Sequence, residues 1–152
     1  MNTLSFYMIN YKLLLVNIKM TNQTIIQRNQ IWHHYKGTKY KIYGLANYKD
    51  YVYVLYYQSN TNYLRELKFG GGYVINTETL QKMLMIIEDI YKPLDSLIIK
   101  DSKPNHTYTE EEVYQLKNNG HDIIWARPIN NFLEKITLNN KNISRFQLFR
   151  VI

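Results

Sequence analysis

Cysteine is absent from this 152-residue chain, and glycine and proline are scarce, at six and three residues. Without cysteine, the chain has no disulfides, no thiolate metal ligands and no thiol nucleophile, so nothing indicates an oxidising compartment. Long hydrophobic runs are also missing, since residues 13–16 lie between Lys12 and Asn17 and a bilayer span needs ~20 apolar residues. Because no signal-peptide pattern is present either, we expect a cytoplasmic protein without a membrane partner.

Basic residues outnumber acidic ones, with nineteen Lys and Arg against twelve Asp and Glu and a net charge of +7. This balance favours an anionic partner, although such a charge is also ordinary for the solubility of a small domain. The fifteen tyrosines and the many Asn, Ile and Lys residues are typical of AT-rich genomes. One interpretation is a phage or viral protein that acts in the host cytoplasm.

The length predicts one domain, because a chain of this size buries about 70% of its unfolded surface. Residues 1–25 are interpreted as an N-terminal extension, and residues 26–152 as the single domain. The apolar side chains of the extension leave an edge strand, an oligomer contact or disorder open. A homo-oligomer is therefore one of the expected states.

Alternating patterns from Ile31 onward predict a β-hairpin with a turn at 47–50. In the first strand, the residues expected on one face are Tyr40, Ile42, Gly44 and Ala46. In the second strand, the two expected faces are Val52, Val54 and Tyr56 on one side and Tyr53, Leu55 and Tyr57 on the other.

The stretch 59–121 predicts a third strand at 63–69, a short strand at 97–99 and two helices. The first helix is predicted from a stripe of apolar residues at helical spacing: Leu80, Met83, Leu84, Ile87, Ile90 and Tyr91. The second helix begins with a capping box, Thr109 and Glu112, and ends near Gly120. Residues 110–112 are therefore helix-capping acids and not catalytic ones.

Strand patterns return at 123–127, 133–138 and 143–151, with a short turn through Phe132 and another at 139–142. The order of elements predicts an α+β, mainly β fold. It is a small antiparallel barrel with strands at about 31–58 and 122–152. A two-helix insertion at about 59–121 interrupts it.

Two blocks of residues carry a family pattern. The first block runs from Ile31 to Ala46 and continues in Val54-Leu55-Tyr56. The second block contains Trp125-Ala126-Arg127-Pro128, Phe132 and Glu134, and Ser144-Arg145-Phe146 follows it. Together they resemble the DUF1653 family of small bacterial and viral domains. The resemblance implies a compact SH3-like β-barrel of unassigned biochemical function. It does not cover 59–122, which replaces a short link of the family.

Arg127 is the strongest candidate for binding an anion. Trp125 and Pro128 fix the backbone around its planar guanidinium, which matches a carboxylate or a phosphate. The alternative is a structural arginine tied to Glu134 or to a backbone carbonyl. Arg145 has the same two interpretations.

The other candidate ligand-binding residues are aromatic, basic or glycine: Tyr35, Lys36, Tyr56, Trp125, Gly70, Gly71 and Gly72. Tyr35 and Lys36 lie in a turn with Gly37, where a plain turn is the alternative. Trp125 serves either as a stacking platform or as core. The glycine run offers bare amides to a phosphate, or is simply a flexible hairpin tip.

The sequence contains no pattern for catalysis or for metal binding. His33 and His34 are adjacent and point to opposite faces of a strand, and His106 and His121 lie far away. No serine lies in a nucleophile elbow. We therefore expect no enzyme, no cofactor and no metal site.

Aromatic and cationic residues alternate along the candidate site, which is what base stacking and phosphate contact require together. The predicted function is a non-catalytic binding module for an anionic nucleotide-type ligand. A specific version is a phage protein that sequesters a nucleotide signal of host immunity. The alternatives are a barrel that binds single-stranded nucleic acid, and a protein-interaction adaptor that uses the inserted helices.

Overall fold

The computed structural model describes residues 26–58, 72–89, 91 and 96–150. The strands and helices of these residues are β1 Ile31–His34, β2 Lys39–Tyr48, β3 Tyr51–Tyr57, β4 Gly72–Asn76, β5 Lys82–Ile87, β6 Leu97–Asp101, α1 Glu110–Asn118, β7 Ile124–Pro128, α2 Ile129–Phe132, β8 Lys135–Leu138, β9 Lys141–Ser144 and β10 Phe146–Arg150. The predicted extension 1–25 and the predicted strand 63–69 lie outside the described residues.

Six of the strands close into a barrel in the order β2-β3-β7-β4-β5-β6, and β6 returns to β2. Two of the contacts are parallel, between β2 and β6 and between β4 and β7. The remaining neighbours in the ring are antiparallel. The mainly β fold and the small barrel are thus confirmed, whereas the expectation that all strands are antiparallel is wrong.

The stretch 59–121 does not interrupt the barrel, because it supplies β4, β5 and β6. The predicted helix around Met83 is wrong, since residues 82–87 form a strand that pairs with β4 and β6. An unbroken apolar run satisfies a helical and an alternating period equally well, and pairing with two neighbouring strands decides between them. The two-helix insertion is therefore not confirmed, and the adaptor hypothesis loses one of its helices.

The second predicted helix, α1, begins where the sequence indicates. Thr109 Oγ1 accepts a hydrogen bond from the Glu112 amide at 3.1 Å, and the Glu112 carboxylate accepts one from the Thr109 amide at 3.0 Å. After the helix, Gly120 adopts a φ of 78°. No helix in the described part of the chain has the length and hydrophobicity needed to cross a membrane.

Two apolar cores lie on opposite faces of the same strands. The barrel interior is filled by Tyr43, Ala46, Tyr48, Leu55, Tyr57, Val74, Met83, Met85, Leu97, Ile99 and Ala126. The outer core lies against the outside of the barrel, where β1, β10 and α2 cover it; its buried members are Ile26, Trp32, Ile42, Val52, Val54, Tyr56, Ile129, Phe132 and Phe146. The alternation predicted for β3 is confirmed, because its two faces enter the two cores.

A β-bulge in β2 divides its side chains between these cores. The register slips so that Ile42 opposes Tyr56 and Gly44 opposes Leu55. Ile42 therefore faces the outer core, whereas Ala46 faces the barrel interior. The prediction that both residues share one face is wrong, because the extra residue of the bulge reverses the alternation.

Four strands lie outside the closed barrel. β1 pairs with β2 on one side and with β10 on the other, while β8 and β9 form a separate hairpin. The hairpin turns at Asn139 and Asn140. Their φ values are 52° and 62°, and asparagine tolerates this backbone conformation well. The single strand predicted at 143–151 is two strands, because the chain leaves the hairpin at Arg145.

Candidate functional site

Arg127 lies near the end of β7, on the outward-facing side of the barrel wall. Its Nε donates a hydrogen bond to the Tyr56 hydroxyl at 2.9 Å. Its Nη1 donates to Asn131 Oδ1 at 2.5 Å. Because α2 begins directly after Pro128, the chain turns back and brings Asn131 within reach. Two elements therefore hold the guanidinium in one orientation.

The charge of Arg127 has no carboxylate partner among the described residues. A guanidinium has five N–H donors, and Nη2 makes no hydrogen bond within the part of the chain that the structure describes. The guanidinium carbon lies 5.5 Å from the centre of the Phe146 ring, a cation–π contact. A half-buried, fixed cation with unused donors is suited to bind a phosphate or a carboxylate.

Arg145 belongs to the same network but is paired. Its Nη2 donates to Glu134 Oε2 at 3.1 Å, and the same oxygen accepts from Asn131 Nδ2 at 3.1 Å. The structural role that the sequence allowed for either arginine, a tie to Glu134, is thus taken by Arg145. Its Nε is buried and has no hydrogen-bond partner within the described residues.

The turn between β1 and β2 brings Tyr35 and Lys36 to this network. The Tyr35 amide donates to the Arg145 carbonyl at 3.0 Å, which fixes the turn against the start of β10. Gly37 has a φ of 106°, a backbone conformation that other residues rarely adopt. The Lys36 side chain is exposed, and its Nζ lies 5.8 Å from the centre of the Tyr35 ring.

His34 is the site residue that sequence reasoning missed. Its ring lies 4.5 Å from Tyr35 and 4.9 Å from Phe146, centre to centre. Burial, followed by the positive charges of nearby arginine and lysine side chains, lowers the pKa of His34 to about 4. These cations are Arg127, Lys36 and Arg145. The ring is therefore neutral at pH 7 and lies near these three cations.

The signal that points to His34 is the alternation of β1. Trp32 and His34 lie two residues apart and face the same core, whereas His33 faces away and contacts Phe149. The sequence places the two histidines on opposite faces of a strand, and the structure adds which of the two faces the outer core. Within the described residues, no three side chains of His, Asp or Glu lie close enough to hold a metal ion.

Aromatic rings form the base of the cluster. Phe132 and Phe146 stack with centres 4.1 Å apart and an angle of 10° between their planes. Tyr56 lies 5.4 Å from Phe146, edge to face. Burial raises the pKa of Tyr56 to about 12, even though Arg127 opposes this shift. The Tyr56 hydroxyl thus stays protonated and serves as a neutral acceptor for Arg127.

Five of the predicted site residues come together, and we name them with His34 the Arg127 cluster: Tyr35, Lys36, Tyr56, Arg127, Arg145 and His34. Trp125 packs against both the outer core and the side chains next to α1, where Lys117 Nζ lies 5.4 Å from its ring. Gly72 begins β4 and pairs with Met85, away from the cluster. Gly70 and Gly71 lie outside the described residues.

Comparison with known proteins assigns no family to this chain. No family model, no curated protein and no solved structure matches it. The resemblance to DUF1653 is thus neither supported nor refuted and stays a prediction. The Arg127 cluster is the candidate functional site.

Proposed function

We propose that this protein binds an anionic, nucleotide-type ligand at the Arg127 cluster and does not transform it. The observation that supports the proposal is the hydrogen bonding of the Arg127 side chain. Tyr56 and Asn131 orient its guanidinium, while Nη2 has no partner among the described residues. A structural arginine of this kind normally has a carboxylate partner, as Arg145 has in Glu134.

The phosphate of the ligand is assigned to the cationic side of the cluster. Arg127 supplies the N–H donors of Nη2 on an oriented guanidinium, and Lys36 adds an exposed positive charge on the neighbouring turn. The lowered pKa of His34 agrees with this placement: burial is its main cause, and the positive charges of Arg127, Lys36 and Arg145 add to it. A bound phosphate would balance these charges with charge-assisted hydrogen bonds.

The base of the ligand is assigned to Tyr35 and His34, both half-buried rings at the edge of the cluster. His34 Nδ1 accepts a hydrogen bond from the Lys36 amide at 3.2 Å. The proton of the neutral ring is therefore on Nε2, which makes this atom a donor. Aromatic stacking of a base is typically worth about 1–3 kcal/mol.

Two finer predictions accompany this proposal. One is the SH3-like identity of the barrel, which the resemblance of the two sequence blocks implies. The other is the role of a viral protein that sequesters a nucleotide signal in the host cytoplasm. Both stay predictions from the sequence.

The test is a calorimetric titration of the protein with a panel of linear and cyclic nucleotides. Arg127→Gln is expected to lower the affinity by about 1–3 kcal/mol, the loss of a charge-assisted hydrogen bond, with a small change in melting temperature. Lys100→Gln is the control, since Lys100 is exposed on β6. A large drop in melting temperature with unchanged affinity would assign Arg127 a structural role.

A further inference from the structure

Asn131 separates the guanidinium of Arg127 from the carboxylate of Glu134. Its Oδ1 accepts a hydrogen bond from Arg127 Nη1 at 2.5 Å, and its Nδ2 donates one to Glu134 Oε2 at 3.1 Å. This orientation of the amide is the one that suits both neighbours, because a guanidinium only donates hydrogen bonds and a carboxylate only accepts them. The amide therefore connects the two charged groups without an ion pair between them.

The charges of the Arg127 cluster do not balance. The Glu134 carboxylate forms an ion pair with Arg145 at 3.1 Å. Within the described residues, neither Arg127 nor Lys36 pairs with a carboxylate. All twelve acidic residues lie between Asp50 and Glu134, so β1, the β1–β2 turn and β10 contain none. Because Glu134 and Arg145 compensate each other, two positive charges remain, one on Arg127 and one on Lys36.

His34 connects these two cations in space. Its ring contacts Tyr35, and Lys36 Nζ lies over the Tyr35 ring. The His34 ring also contacts Phe146, and the guanidinium of Arg127 lies over the Phe146 ring. The Lys36 side chain is exposed, and the long stem of a lysine is flexible. A phosphate beside His34 can therefore contact both cations.

The two kinds of nucleotide phosphate differ in charge and in acceptors. A terminal phosphate monoester carries a charge of about −1.5 to −2 at pH 7 and has three free oxygens. A phosphodiester carries a single negative charge, and its second ester bond leaves it two free oxygens. Two uncompensated cations match the monoester more closely than the diester.

We propose that the ligand of the Arg127 cluster carries a terminal phosphate monoester and that the cluster discriminates against phosphodiesters. This inference rests on the proposed function and specifies its ligand. Arg127 Nη2 and Lys36 Nζ bind the terminal oxygens, and charge-assisted hydrogen bonds of this kind strengthen with the charge of the acceptor. Asn131 is a positioning residue, since it leaves Glu134 to Arg145 and keeps the charge of Arg127 uncompensated.

The first test is a calorimetric titration with the four common nucleoside 5′-monophosphates and with the 5′-methyl phosphodiester of each. The two members of a pair share base and ribose and differ at the phosphate. At pH 7.5 we expect each monophosphate to bind about tenfold more tightly than its methyl ester, the value of one charge-assisted hydrogen bond.

The second test is the pH dependence of the same titrations. From pH 7.5 to pH 5, the affinity for each monophosphate should fall about fivefold, because its phosphate takes up a proton with a pKa of about 6. The pKa of His34, about 4, keeps its ring largely neutral in this range. The methyl ester has a constant charge and reports every effect of pH on the protein itself.

Asn131→Asp is the variant that tests the charge balance. It places a carboxylate beside Arg127 with almost no change in shape, and we expect the preference for the monophosphate to fall from about tenfold to about twofold. Asn130→Asp adds the same charge at the exposed neighbouring position and should retain the preference. Lys36→Gln, at an exposed position in the turn, should also reduce it. Melting curves of the three variants show whether the fold is intact.

Three outcomes would overturn the inference. Equal affinities for a monophosphate and its methyl ester, both dependent on Arg127, would leave the proposed function standing with a monoanionic phosphate as its ligand. Equal losses of preference in Asn131→Asp and Asn130→Asp would show a general charge effect instead of a positioning role. No binding of any nucleotide would defeat both proposals.

Discussion

Two cores share the wall of this barrel and differ in what they leave accessible. Leu55 and Tyr57 of β3 enter the interior, which six strands enclose. Tyr56, between them in sequence, enters the outer core, where polar atoms lie at the edge. The outer core thus holds Arg127 half-exposed beside aromatic rings. The comparison indicates that the interior supplies stability and that the outer core also positions a charge.

The most damaging change to the outer core should be Phe146→Ala. Phe146 is 4% exposed, stacks on Phe132 and contacts Arg127, so its truncation removes packing on several sides. We expect a loss of about 3–5 kcal/mol in the free energy of unfolding, measured in urea, together with weaker ligand binding. Phe146→Leu is the matched control and should retain most of both properties. Unchanged ligand affinity in Phe146→Ala would contradict a positioning role for this ring.

Leu55→Ala is the counterpart in the interior. Leu55 is fully buried, and its truncation should cost about 2–5 kcal/mol of unfolding free energy, depending on how far the cavity collapses. The ligand affinity of the folded protein should not change, because Leu55 faces away from the Arg127 cluster. A matching loss of affinity, measured well below the melting temperature, would mean that the two cores are coupled.

Tyr56→Phe separates the ring from its hydroxyl. The ring keeps its packing, while Arg127 loses one of the two acceptors that orient it. We expect about 0.5–1.5 kcal/mol of destabilisation and a several-fold loss of nucleotide affinity. Tyr57→Phe, on the interior face, is the control for affinity. If the two variants bind equally well, the Tyr56 hydroxyl does not position Arg127.

The smallest expected effect is a pH dependence that belongs to the outer core alone. His34 has a pKa of about 4 in the fold, against an ordinary 6.5. Between these values the unfolded chain binds more protons, so the contribution of neutral His34 to stability is complete above pH 6.5 and declines as the pH falls toward 4. His34→Leu should show a shallower loss of unfolding free energy over this range. A His34 pKa near 6.5, measured by NMR, would contradict both the burial of the ring and the positive charges around it.

Features that depend on neighbouring residues in the chain are the ones that the sequence predicts correctly. The capping box of α1 and the turn at Asn139 and Asn140 each rest on a few adjacent residues. The strand β5 is mispredicted as a helix because its apolar run fits two periods, and its partner strands decide the outcome. The bulge in β2 has a local signal in Gly44, a glycine within a strand, but the register with β3 decides which face each residue takes.

The partners of Arg127 are not predicted from the sequence. The sequence offers Glu134 or a backbone carbonyl as its structural partner, whereas the side chain binds Asn131, four residues away, and Tyr56, 71 residues away. The confinement of acids to the region between Asp50 and Glu134 is visible in the sequence. The strand order adds that β10, from one acid-free end, pairs with β1, from the other.

The parallel contacts that close the barrel have a consequence for the order in which the protein forms. Asn47 pairs with Ile98, and Ile75 with Trp125, so closure joins segments about fifty residues apart and should be slow compared with the local hairpins. During synthesis, β2 and β3 emerge long before β7. A chain extended only as far as β6 therefore presents Tyr56 without Arg127, and the Arg127 cluster is complete only after the last third of the protein has been made.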